Sequence, residues 1–381
     1  MKKPVYLDYF STTPCDPRVL DAMLPYFGEK FGNPWAKAHA AGRAAFSVFE
    51  GAMEKIASLV GAHGESITIT SGATEANNLA LQGMAEAATD RKEIVITQIE
   101  HNCVSNTAAH LAKKGFTIKA VPVNAEGFVE IGELKKHVSD RTLLVSVITA
   151  SHELGTLQPL KECAKVAHAA GAVFHTDAVQ AAGKISIDVE ALDIDMLSFA
   201  PHKFYGPQGV GALYVRQKPP VAISPITFGG AQQKLRAGTM PFPLIVGFAK
   251  ACEISLAEME QSKAHLDKLV NLLWGKLQEG IPGIRQNGGA PRLPGLLNIR
   301  LPGAGALDVM TELAEDVCMS TGAACAAAAR KPSPVLKAIG LSDEEVNCSL
   351  RLSVGRTSTE EEMLYAAKKL AEATKQLKAA A

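Results

Sequence analysis

Long apolar runs are missing from the 381-residue sequence, and none approaches the roughly 20 residues that a bilayer crossing needs. The first residues, Met1-Lys2-Lys3-Pro4-Val5-Tyr6-Leu7-Asp8, hold no apolar stretch of signal-peptide length. The expected location is therefore the cytoplasm, with no membrane contact. Net charge is missing too, because 39 Lys and Arg balance 39 Asp and Glu. That balance leaves no broad footprint for nucleic acid or a charged lipid surface. Cysteine is sparse: the seven (Cys15, Cys103, Cys163, Cys252, Cys318, Cys325 and Cys348) are scattered, and an odd number cannot all pair. No C-x-x-C or H-E-x-x-H spacing occurs, so no metal site is expected. Internal repeats are absent, and the only biased stretches are 323–329 and 378–381.

What is present is ample core material. Hydrophobic residues make up 47% of the chain, and its length suits two domains. Seven β-branched runs, at 66–70, 94–97, 117–121, 143–148, 172–175, 196–199 and 211–215, read as strands. Several are apolar throughout, as strands covered on both faces should be. Helical stretches such as 75–88 and 160–170 separate most of them. The pattern predicts an α/β fold with a mostly parallel seven-stranded sheet. After about residue 250 the elements become fewer and mixed. A long amphipathic helix is predicted over 256–277, with Leu266, Leu269, Leu273 and Leu277 on one face. Strands follow at 296–300 and 350–354 around a helix at 306–313, and a last helix opens at Thr359 with Glu362 completing a capping box. The expected organisation is a large domain over 15–250 and a smaller α+β domain from 1–14 and 251–381.

Five pieces could carry chemistry. Ser71-Gly72-Ala73-Thr74-Glu75 follows a strand and opens a helix, so its free N–H groups suit a phosphate, or simply form a helix start. Asp177 lies past a strand end, where open α/β sheets bind ligands. A carboxylate there can keep a pyridine nitrogen protonated, or cap a helix. Lys203 stands between a buried strand and the Gly206-Pro207 turn, as a low-pKa amine able to form a Schiff base or as a lysine reaching solvent. Cys325 sits among small residues, as a nucleophile or as a packed structural thiol. Arg351, on a strand, could grip a carboxylate with two hydrogen bonds or form a surface ion pair.

Their order along the chain resembles that of the NifS/IscS-type cysteine desulfurases, which are fold-type I pyridoxal-phosphate enzymes of the class V aminotransferase group. The likeness starts at Tyr6-Leu7-Asp8-Tyr9 and Thr12-Thr13-Pro14. It passes Gly32-Asn33-Pro34, Ser71-Gly72-Ala73-Thr74-Glu75 and His202-Lys203, and closes at Arg351 to Glu362. The resemblance implies that Lys203 carries pyridoxal 5'-phosphate and that His101 stacks on its ring and moves protons. Asp177 would pair with the ring nitrogen and Gln180 with the phenolic oxygen. Gly72, Ala73, Thr74 and His202 would hold the phosphate, and Thr239 would reach the phosphate of a neighbouring subunit in a homodimer. Arg351, Asn33 and Ser151 would bind the substrate, L-cysteine. Cys325 would take its sulfur as a persulfide, release L-alanine, and pass the sulfur to an acceptor protein for iron–sulfur clusters or tRNA thiolation.

The sequence also departs from that family. Ser151 and His152 stand where two asparagines are usual, and Ala200-Pro201 replace a serine and a glycine. The region Gly229-Gly230-Ala231-Gln232-Gln233 is one residue short of the family's Gly-Gly-Gly-x-Glu pattern, and Ala324, Ala326 and Ala327 replace serines around the thiol. Two other readings follow: a related lyase or aminotransferase, such as a selenocysteine or cystine lyase, and a sulfur-transfer scaffold without turnover.

Overall fold

The computed structural model describes residues 4–230, 234–322 and 332–380; Cys325 and its alanine neighbours lie outside them. The chain opens with a two-residue strand, β1 (Val5–Tyr6). The next seven strands are β2 (Ile67–Thr70), β3 (Glu93–Thr97), β4 (Thr117–Val121), β5 (Thr142–Ser146), β6 (Val173–Asp177), β7 (Met196–Phe199) and β8 (Gly211–Val215). They pair in the order β2-β8-β7-β6-β5-β3-β4. Only β8 runs against its neighbours; the β3–β4, β3–β5, β5–β6 and β6–β7 pairs are parallel. This is the mostly parallel α/β sheet expected from the seven apolar runs.

Burial on both faces explains why several of these strands read as unbroken apolar runs. The pleat sends alternate side chains to opposite layers. Val95, Leu197, Ala212 and Tyr214 join one core, with the helices Ala40–Ser58 and Leu160–Ala169. Ile94, Ile96, Met196, Leu213 and Val215 join the other, under the helices Ala73–Ala87 and Asn102–Lys113. The edge strand β4 is more exposed, and its Lys119 meets Glu93 at 2.6 Å. A charged lysine on an open edge discourages pairing with another chain.

A third core lies beyond the sheet. β9 (Arg285–Gln286), β10 (Leu296–Arg300), β11 (Val317–Cys318) and β12 (Ser349–Ser353) complete the strands. β12, β10 and β9 form an antiparallel sheet, and β11 pairs in parallel with β1. Val5 and Leu7 are buried in this core, so the first residues pack against the last third of the chain. The last helix, Glu360–Ala380, starts at the capping box read from the sequence: Thr359 N donates to Glu362 Oε2 (2.9 Å) and Glu362 N to Thr359 Oγ1 (3.2 Å).

The two regions share one 39-residue helix, Phe242–Gly280. It begins well before the expected 256, and residue 250 falls inside it. Its first half (Ile245, Phe248, Cys252) belongs to the large core, and Leu266, Leu269, Leu273 and Leu277 belong to the small one. Among the described residues, no helix is long and apolar enough to cross a membrane, and no group of three or more His, Cys, Asp or Glu could hold a metal ion.

Candidate active site

The strand order reverses between β3 and β5, and a ligand crevice is expected beyond the carboxyl ends of such strands. A cavity of about 510 Å³ opens there. It collects the turn after β2 (Ser71 to Glu75), His101 and Cys103 after β3, and Ile148 and His152 after β5. Asp177, Val179 and Gln180 come from the end of β6, His202 and Lys203 from beyond β7, and Ser11 and Thr12 from the N-terminal segment.

The turn after β2 is built as an anion cradle. The helix Ala73–Ala87 starts at Gly72, which offers no side chain to cap it. Its first N–H groups and its dipole therefore remain available to an anion. A Cβ at Gly72 would meet nothing within 4 Å, so there is room above the turn. Thr70 Oγ1 steadies the turn by donating to Gly72 O at 2.9 Å, and Glu75 Oε2 accepts from Ser71 N at 2.6 Å. Gly211 at the start of β8 passes close beneath. A Cβ there would come 2.6 Å from the Gly72 carbonyl carbon, so only glycine fits. His202 borders the cavity with Nδ1 3.2 Å from Thr12 Oγ1. Desolvation and the neighbouring Lys203 and Lys184 bring His202 down to about 4.

Asp177 ends β6 and is buried. Its Oδ2 accepts from Asn77 Nδ2 at 2.7 Å and its Oδ1 from Val179 N at 3.0 Å, so the carboxyl is fixed in place. Burial pushes it above the usual carboxylate range, against the pull of His101. Gln180 Nε2 donates to Phe10 O at 2.9 Å, while its buried Oε1 has no partner. Lys203 Nζ donates to Phe10 O (2.8 Å) and Ser11 O (2.7 Å). Desolvation, helped by Arg351, lowers its pKa to about 8.

The opposite wall carries two imidazoles. The His101 and His152 rings meet edge to face, 5.2 Å between centroids. His101 Nδ1 accepts from Cys103 N at 3.2 Å and lies 3.0 Å from Cys103 Sγ. Desolvation lowers the His101 pKa. Cys103 Sγ in turn accepts from Asn77 Nδ2 at 3.1 Å, so Asn77 touches both this wall and Asp177. Behind the wall, buried Glu100 ties the His101 loop to β5, accepting from Thr97 Oγ1 and Ile148 N, both at 2.7 Å. Burial raises Glu100 to about 8.

Several expected residues do not line the cavity. Arg351 is buried behind it: Nη2 donates to Asp8 Oδ1 and Ser11 Oγ, both at 2.8 Å, and Nη1 to His152 O at 2.9 Å. Its Nε has no partner. Ser151 is fully buried, and its Oγ accepts from Glu153 N (3.4 Å) and Leu154 N (3.2 Å). Asn33 is exposed and accepts from Trp35 N at 3.0 Å. Thr239 is exposed. Cys325 lies outside the described residues, but the segment before it meets Arg351 through Gly322 O at 3.3 Å. Ser333 after it donates to Glu153 Oε2 at 2.7 Å. Cys103 and Asn77 were missed from sequence, and His152 stood out there only as a departure from the family. Cys103 stands two residues past His101 on the same loop, a proximity that marks it; nothing in the sequence marks Asn77.

The donor set fits one kind of ligand. A phosphorylated pyridine aldehyde needs an amine, a carboxyl beside its ring nitrogen, a polar group beside its phenolic oxygen and a cradle for its phosphate. Lys203, Asp177, Gln180 and the turn at 72–74 offer these four around one cavity. Fold and site together define a pyridoxal-phosphate enzyme scaffold of the class V aminotransferase kind. The chain belongs to the aminotransferase class-V family, which it matches over residues 5–365. It is 42% identical over 366 residues to the cysteine desulfurase IscS of Rickettsia rickettsii (strain Iowa), covering 95% of this chain and 89% of that protein. Among solved structures it resembles a NifS-like protein, with TM-score 0.90, 36% identity, and 97% and 98% of the two chains covered. It also resembles SspA in complex with cysteine, with TM-score 0.83, 34% identity, and 94% and 100% covered.

Proposed function

We propose that this chain is a pyridoxal-phosphate-dependent cysteine desulfurase. It removes sulfur from L-cysteine, keeps it as a persulfide on Cys325 and releases L-alanine. The observation that carries this reading is the meeting of Lys203, Asp177 and the anion turn around one cavity, in a chain 42% identical to a cysteine desulfurase.

Each residue has a part. Lys203 holds the cofactor through its amine, which desolvation keeps partly neutral near neutral pH. Gly72, Ala73, Thr74 and His202 take the phosphate, Asp177 the ring nitrogen and Gln180 the phenolic oxygen. When bound, the cofactor supplies an electron sink for negative charge at the substrate carbons. His101 moves protons beside the substrate. Its Nδ1 is engaged by Cys103 N, so Nε2 is the atom that exchanges a proton. Arg351 takes the substrate carboxylate by exchanging its bonds to Asp8 and Ser11. The Cys325 thiolate attacks the substrate sulfur. A sulfur–sulfur bond forms, the carbon–sulfur bond breaks, and its electron pair stays on carbon, which gains a proton to give alanine.

Residues 15–250 form the cofactor-binding part, and residues 1–14 with 251–381 the part that carries the thiol and Arg351. The enzyme works in the cytoplasm as a homodimer, with Thr239 meeting the partner's phosphate, and passes its sulfur to an iron–sulfur scaffold or a tRNA-thiolation protein. A lyase acting on selenocysteine or cystine is the second reading, favoured by His152 on the cavity wall with Ser151 withdrawn from it. The test is alanine production from cysteine, selenocysteine and cystine with a thiol reductant. Cysteine should be the best substrate, and Cys325→Ala should abolish turnover. Undiminished turnover of cysteine in that variant refutes the role given to the thiol.

A further inference from the structure

Among the described cysteines, Cys103 is the one that lines the cavity, and the mechanism above leaves its thiol unused. Two contacts fix what that thiol can do. Its Sγ accepts from Asn77 Nδ2 at 3.1 Å and lies 3.0 Å from His101 Nδ1. Asn77 Nδ2 gives its other hydrogen to Asp177 Oδ2 at 2.7 Å, so the amide nitrogen meets the sulfur as a donor only. The S–H therefore points at the ring nitrogen. That nitrogen also accepts from Cys103 N at 3.2 Å, because His101 caps the helix Asn102–Lys113. A ring nitrogen that accepts carries no proton, so the proton of the neutral ring sits on Nε2. Desolvation, helped by Asp177, pushes Cys103 up to about 12. It is thus a proton-bearing thiol, not a thiolate paired with an imidazolium.

We propose that Cys103 is a positioning residue for His101: its S–H donates to Nδ1 and keeps the imidazole proton on Nε2. Asn77 holds the sulfur in line and ties the pair to Asp177. The inference rests on the functional reading above, which gives His101 its proton-moving part. The thiol acts as a hydrogen-bond donor and not as a second carrier of sulfur. The other titratable groups about the ring are Asp177 at the end of β6, Lys203 beyond β7, His152 after β5, and Glu100, which precedes His101 in the chain. None of them is altered by a substitution at 103, so a change in the His101 titration reports the thiol.

Holoenzymes carrying Cys103→Ala and Cys103→Ser are compared with wild type after labelling with ¹⁵N-histidine. Donation to Nδ1 stabilises the neutral ring, so losing it lets the ring take a proton more readily. The His101 pKa read from its nitrogen resonances should rise by about half to one pH unit in the Ala variant and by less than about 0.3 unit in the Ser variant, which keeps a hydroxyl donor. The limb of kcat against pH that belongs to His101 should move with it. A purely structural role would lower stability without moving that limb. Peptide mapping after turnover without a reductant should find no persulfide on Cys103. An unshifted His101 in the Ala variant, an equal shift in the Ser variant, a neutral wild-type ring protonated on Nδ1, or a persulfide on Cys103 overturns the inference. If the Ala variant does not fold, Cys103→Val, which lacks the donor and fills the space, takes its place. The His101 titration needs no turnover. A wild-type enzyme that makes no alanine from cysteine overturns the functional reading, whereas an active enzyme whose His101 is indifferent to residue 103 overturns this inference alone.

Discussion

Two amines with lowered pKa values stand close together under the cavity. Lys203 is brought to about 8, and Lys184, packed 4.5 Å over the Phe10 ring with Nζ donating to Gln180 O at 2.9 Å, to about 7. Desolvation lowers both, because charge is poorly solvated there. Only Lys203 lines the cavity. A neutral amine is the species that adds to an aldehyde, so pyridoxal phosphate should load onto apo-protein faster as pH rises. The rate should climb about tenfold per unit below the Lys203 pKa and flatten above it, near pH 8. Stopped-flow absorbance checks this; a rate still climbing at pH 10 contradicts it. At this scale the sequence was legible where a residue follows a strand end. Gly72, Asp177 and Lys203 were read from such places, His101 and Gln180 were implied by the family resemblance, and all five line the cavity. It was not legible where a turn decides which of two neighbours faces inward. Ser151 and His152 are adjacent, and only the local hydrogen bonds of Ser151 turn it away.

Between elements, the tightest fit is β8 against the anion turn. Gly211→Ala would press a methyl against the Gly72 backbone, which cannot move like a side chain. It should cost about 1–3 kcal/mol in urea unfolding of apo-protein and weaken cofactor retention on dialysis. A variant that keeps wild-type stability and cofactor would remove the turn from the account. β6 carries a second constraint. His175 is fully buried between Ser146 Oγ (2.9 Å) and Ser198 Oγ (3.1 Å), and burial lowers it to about 3. Unfolded, the same ring takes a proton near pH 6.5, so the unfolded state binds more protons between 3 and 6.5. Stability should fall by as much as about 1.4 kcal/mol per pH unit as pH drops through that window from this group alone. His175→Gln should flatten the slope measured by urea midpoints, and an unchanged slope contradicts the assignment. The central strands were legible because they are buried on both faces. β9 and β11, two residues each, are too short to carry any periodicity.

For the whole molecule, the shared helix Phe242–Gly280 matters most. A change in the pattern of elements near residue 250 suggested a boundary, yet the backbone stays helical through it, because the apolar stripe shifts from one core to the other without a break. Leu273→Ala, in the small core, should therefore cost about 2–5 kcal/mol and lower one common unfolding transition followed by both circular dichroism and tryptophan fluorescence. Two separated transitions would show that the helix does not couple the cores. The account as a whole depends on one cavity holding one cofactor by one lysine. Borohydride reduction of the holo-protein followed by peptide mass mapping tests that claim most directly. The pyridoxyl group should be found on the peptide containing Lys203; finding it on Lys184, or on no lysine, would contradict the account.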